Sequence, residues 1–84
     1  MVYYLMVCRS LTYAQRTAAA LERVGITARI LRSPKVIDRE GCSHCVKIPE
    51  RSLTAALVVL NRAGLAPKRI FLQAEDRGLR EVGL

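Results

Sequence analysis

The alternation of apolar and polar positions along the chain changes period repeatedly, and each change marks an element. Val2 to Cys8 (VYYLMVC) is apolar throughout, short, and β-branched and aromatic at its start. Such a run predicts a buried central strand. From Leu11 to Val24 the period lengthens. Ala14, Ala18 and Leu21 share one helical face, while Arg16, Glu22 and Arg23 take others. Ser10 or Thr12 can cap this helix, Thr12 with Gln15 fits a capping box, and Gly25 supplies a stop. Ile26 to Arg32 then alternates, with Ile26, Ala28 and Ile30 on one side and Thr27, Arg29 and Leu31 on the other, the pattern of a half-buried strand. Ser33-Pro34 ends it, because proline cannot donate to a ladder.

Lys35 to His44 reads as a loop that is long for a compact domain, the kind that often carries function. Cys45 to Ile48 predicts a third strand. Pro49 and Glu50 open a second helix, with Leu53, Ala56, Leu57 and Leu60 as its apolar face and Gly64 as its end. Lys68 to Ala74 predicts a fourth strand, with Ile70 and Leu72 facing away from Phe71. Glu75 to Leu84 reads as a short charged tail, partly helical or frayed. The order β-α-β-β-α-β predicts an α+β, ferredoxin-like fold: four antiparallel strands in the order 4-1-3-2, with two helices on one face. The expected organisation is a single domain over residues 1–74 followed by the tail, residues 75–84.

Charge changes the picture little. The chain carries a net +7, and 11 of its 14 basic residues are arginines scattered from Arg9 to Arg80 without a block. Such spacing reads as a solvated face. RNA-binding domains of this topology stack bases on aromatics of the first and third strands. Cys45-Val46-Lys47-Ile48 offers none, so nucleic acid is not an expected partner. No apolar run approaches about 18 residues, so neither is a membrane. Without a basic-then-apolar leader, the expected compartment is the cytoplasm, where thiols stay reduced. No Gly-rich phosphate loop and no convincing acid–base pair is present. A carrier or binding protein fits better than a stand-alone enzyme.

The chemistry concentrates in Cys42-Ser43-His44-Cys45, which holds two of the three cysteines and the single histidine. In the expected strand order, Cys8 ends the first strand beside Cys45 at the start of the third, with Cys42 just upstream in the loop. All three thiols can then meet at one end of the sheet. The first helix begins there, and Arg9, Arg32, Lys35 and Arg39 map there, a setting that lowers thiol pKa values. Cys42 and Cys45 are the leading site residues, supported by Cys8, His44, Arg9 and Arg39. Read plainly, Cys8 is a small buried hydrophobe and His44 a solvated loop residue. In a second reading Cys42 and Cys45 bind zinc or cuprous copper with Cys8 or His44, although a structural zinc site wants four ligands in two pairs. A third reading is a non-catalytic interaction domain. Its open sheet face, carrying Arg29, Leu31, Lys47, Arg69 and Phe71, would receive a second copy or another partner.

Three features recur together over roughly residues 3 to 73: a strand running into Arg9-Ser10 and an Ala-rich helix ending Val24-Gly25-Ile26, the Pro34-Lys35 step after the second strand, and Cys42 a few residues before Val46-Lys47-Ile48-Pro49-Glu50. In these, and most specifically in the last, the chain resembles the putative Se/S carrier protein-like family of short bacterial proteins. Ser43 stands where members usually carry glycine, and Cys45 where small residues are common. The resemblance implies a sulfur or selenium carrier with Cys42 holding the atom as a persulfide or selenosulfide. Donor and acceptor proteins would be its partners, and no cofactor is expected. Cys45 would resolve the adduct by forming a disulfide and releasing the reduced atom.

Overall fold

In the computed structural model, which describes residues 1–39, 43–76 and 78–83, the apolar run becomes strand β1 (Tyr3–Cys8). The remaining strands are β2 (Arg29–Arg32), β3 (His44–Pro49), β4 (Arg69–Gln73) and β5 (Leu79–Val82). All pairings are antiparallel and the order is β2-β3-β1-β4-β5. The four expected strands keep their expected neighbours. The sheet itself is corrected in extent: a fifth strand joins it beside β4, so the ferredoxin-like four-stranded arrangement is not matched exactly.

The added strand comes from the segment read as a partly helical or frayed tail. Leu79 lies opposite Gln73 and Val82 opposite Ile70. The Ala74 N–H donates to the Gly78 carbonyl at 3.0 Å, and the Gly78 N–H to Asp76 Oδ1 at 2.9 Å, which turns the chain back. Across the pair, Arg69 grips the Glu81 carboxylate through Nε at 2.9 Å and Nη2 at 2.7 Å.

Helices α1 (Leu11–Arg23) and α2 (Leu53–Arg62) cover one face of the sheet. Ser10, rather than Thr12, caps α1: its Oγ accepts from the Tyr13 N–H at 3.2 Å. Both helices end alike. Gly25 (φ 83°) and Gly64 (φ 70°) take the left-handed conformation, and the next residue donates back to Leu21 or Leu60. A single 3₁₀ turn, Glu50–Ser52, precedes α2, so Pro49 closes β3 instead of opening the helix. Ile26 lies outside β2 but remains buried in the helix-side core.

Side chains alternate along β1. Met6 and Cys8 meet Ala14, Leu21, Ala56 and Leu60 beneath the helices. Leu5 and Val7 point the other way and form a second cluster with Cys45 and Phe71. Among the described residues no helix covers this second face, yet Leu5 and Cys45 are fully buried. Leu31, Ile37 and Leu79 pack around them, the Arg69 guanidinium lies 4.9 Å from the Phe71 ring centre, and Lys47 Nζ lies 4.1 Å from that of Tyr3. Long cationic stems and one loop side chain thus do the covering. The expectation of an open face presenting Phe71 is corrected to a small second core.

Candidate functional site

Cys42 lies outside the described residues, together with Glu40 and Gly41. The site is therefore built from what flanks them. Ser33 ends the run of β2, and its N–H donates to the Ser43 carbonyl at 3.1 Å. Pro34 fixes the backbone for a turn, and its carbonyl accepts from the N–H groups of Ile37 at 2.9 Å and Asp38 at 3.0 Å. Asp38 Oδ2 in turn accepts from the Ser43 N–H at 2.9 Å. These contacts cinch the loop at its neck, between Ser33 and Ser43.

The neck continues into the sheet through side chains. Ser43 Oγ donates to Ser33 Oγ at 2.8 Å, and Ser33 Oγ lies 3.1 Å from Cys45 Sγ. Because Ser33 accepts from Ser43, its own proton is available to the Cys45 sulfur. Ser33 is itself buried. The sequence marked Ser33 only as a strand terminator and gave no role to Asp38. The available signal was the Ser-Pro step, which commonly starts a turn.

The two described cysteines do not share a site. Both lie at the same end of the sheet, but Cys8 pairs with His44 and Cys45 with Val7. Alternation therefore sends Cys8 to the helix side and Cys45 to the second face. The two described thiols therefore stand at the expected end of the sheet but on its opposite faces. Cys8 Sγ approaches Thr17 Oγ1 and the Met6 carbonyl at 3.8 Å each. Burial pushes its pKa above the ordinary 9.0, with the Thr17 contact pulling the other way. Burial likewise raises Cys45 above 9.0; the Ser33 hydrogen bond opposes this, while Cys8 and Asp38 add to it. Both are held as thiols, not poised as thiolates.

His44 is half-buried at the start of β3, and its Nδ1 is enclosed without a hydrogen-bond partner among the described residues. Arg39 is exposed on the loop, as are Arg32 and Lys35 near the same end of the sheet. Arg9 is exposed after β1, its guanidinium 4.5 Å from the Tyr13 ring centre. Among the described residues no group of three or more His, Cys, Asp or Glu is placed to hold a metal ion. Also among them, no helix is long and apolar enough to cross a membrane.

A pocket of about 340 Å³ opens at the neck, lined by Arg9, Lys68, Arg69, Asp38 and Ser43 among others. Lys68, unmarked in the sequence, stands there because its N–H donates to the Val7 carbonyl at 3.0 Å, where β4 starts against the end of β1. A family model described as putative Se/S carrier protein-like matches residues 3–72. No curated protein and no solved structure matches the chain.

Proposed function

The chain belongs to the putative Se/S carrier protein-like family, and from that premise we propose that it carries sulfur or selenium on Cys42 as a persulfide or selenosulfide. The observation that carries the assignment to Cys42 is the state of the other two thiols. Cys8 and Cys45 are buried and their pKa values are raised, so neither is a ready nucleophile. Cys42 belongs to the loop whose neck Ser33, Asp38 and Ser43 fix. A carrier needs a thiol that donor and acceptor proteins can both reach, and a loop on a fixed base suits that.

Cys45 is the resolving thiol in this proposal. Its attack would join its sulfur to that of Cys42, break the bond to the carried atom, and release that atom as the hydrochalcogenide. Cys45 must first leave its contact with Ser33, so release is gated by opening of the neck. The test is loading from a sulfane donor, followed by intact mass under denaturing conditions. Native protein gains the mass of the carried atom and loses it to reductant, whereas Cys42→Ser gains nothing. Retained loading in Cys42→Ser would sink the assignment. Added mass seen only in native spectra and removed by a chelator would instead favour thiolate-bound metal.

A further inference from the structure

A cavity of about 360 Å³ opens between the start of α1 and the segment that follows α2. Cys8, the last residue of β1, and Arg9 after it form one wall. Tyr13 and Thr17, one turn apart on α1, form a second. The third runs from Gly64 to Lys68 and is pinned at both ends. The Leu65 N–H donates to the Leu60 carbonyl at 2.8 Å, and the Lys68 N–H to the Val7 carbonyl at 3.0 Å. The cavity shares Cys8, Arg9 and Lys68 with the neck pocket but is lined by neither Asp38 nor Ser43.

Among the described residues no carboxylate lines it, and neither Arg9 nor Lys68 forms an ion pair. Stacking on Tyr13, 4.5 Å from its ring centre, orients the Arg9 guanidinium and leaves its N–H edge for an acceptor. Thr17 is only 2% exposed, and its hydroxyl accepts from Cys8 Sγ at 3.8 Å, so its own proton remains for another acceptor. Leu65, Ala66 and Pro67 add apolar side chains. We infer that this cavity binds a small aliphatic carboxylate. The guanidinium fork matches the two carboxylate oxygens, and Lys68 and Thr17 add donors beside it. A short hydrocarbon chain covers Leu65 and Pro67, where a tetrahedral oxyanion would set unsatisfied oxygens against them. The volume is near the lower end of the range for small-molecule sites, about 300–1,000 Å³, which limits the ligand to a short chain. The net +7 of the chain draws anions toward it. Binding involves no covalent step and does not depend on the carrier reading.

The probe is butyrate, titrated into the native chain while backbone amide resonances are followed. Saturable shifts are expected at Cys8, Arg9, Thr17, Leu65 and Lys68. Arg9→Gln with Lys68→Gln, both at exposed positions, should weaken the affinity by about tenfold or more. Arg80→Gln removes the same kind of charge from β5, outside the cavity, and should leave the affinity nearly unchanged. An equal loss in Arg80→Gln and in Lys68→Gln would reduce the effect to net charge and overturn the site. Butyramide keeps the chain without the charge, and sulfate keeps the charge without the chain; both should bind more weakly. Either one binding as tightly as butyrate, or butyrate shifts that are absent or do not saturate, would overturn the assignment. Bound butyrate should also slow alkylation of Cys8 more than that of Cys45, read by peptide mapping. Equal slowing of the two would place the ligand elsewhere and overturn the site.

Discussion

The two faces of the sheet bury the same kind of residue in different company. Beneath the helices, Cys8 lies among Met6, Ala14 and Leu21, with long contacts to Thr17 and the Met6 carbonyl. On the other face Cys45 is buried as deeply, but it ends a polar chain running through Ser33 and Ser43 to the loop neck. The first cysteine packs in the helix-side core. The second joins the sheet to the loop that bears Cys42. Burial alone does not distinguish the two thiols; their hydrogen-bonded surroundings do.

The contrast breaks first if the second face is not a true core. Leu5→Ala should lower the unfolding free energy by about 2–5 kcal/mol, as Leu21→Ala should on the helix face. Denaturant titration decides this. A loss near the ~0.5 kcal/mol typical of surface sites would show that Ile37, Leu79 and the cationic stems do not seal the face. Ser33→Ala sharpens the comparison. It removes the link between Ser43 and Cys45 and should cost about 1–3 kcal/mol, the penalty of unpaired buried polar groups. In a Cys42→Ser background it should also speed alkylation of Cys45 and leave the rate at Cys8 unchanged. Equal acceleration of both would mean global loosening instead of a released neck.

Alkali tests both faces together. Cys8 and Cys45 have pKa values raised by burial, so the unfolded chain loses these protons first. Stability from the buried thiols is therefore full below the ordinary value of 9.0 and falls as pH rises above it toward the folded values. Each thiol contributes a slope of at most about 1.4 kcal/mol per pH unit in that window. Cys8→Ala and Cys45→Ala should each remove its share, read as the difference from native protein. An unchanged slope in either variant would show that its thiol does not resist ionisation. The smallest effect is expected outside both cores. Arg69 and Glu81 are a half-exposed pair, 42% and 50% accessible, so Glu81→Gln should leave the unfolding midpoint nearly unchanged. A clear drop would mean that the ion pair, and not the β-ladder, holds β5.

The apolar run Val2 to Cys8 announced a strand buried on both sides, and β1 sits at the sheet centre with each face in its own core. The spacing of Ala14, Ala18 and Leu21 located the buried stripe of α1. The alternation of Cys45 against Val46 was also visible, and with the pairing of Cys8 to His44 it separates the two thiols. That register depends on where a long loop returns, which no local pattern fixes. β5 was hidden for a different reason. Leu79-Arg80-Glu81-Val82 has little apolar alternation, and its partners lie in β4. The Ser33–Ser43 contact was hidden likewise, because hydroxyls ten residues apart carry no periodic signal.

The central claim is that Cys42, and neither buried cysteine, holds the chalcogen. The most direct measurement is fragmentation mass spectrometry of protein loaded and digested without oxygen. Trypsin releases Cys42 and Cys45 together between Arg39 and Lys47, so fragment ions must assign the added atom within that peptide. The account predicts the extra sulfur or selenium on Cys42, with Cys8 and Cys45 unmodified or, after release, Cys42 and Cys45 joined as a disulfide. An extra atom on Cys45 or Cys8 while Cys42 stays bare would contradict it.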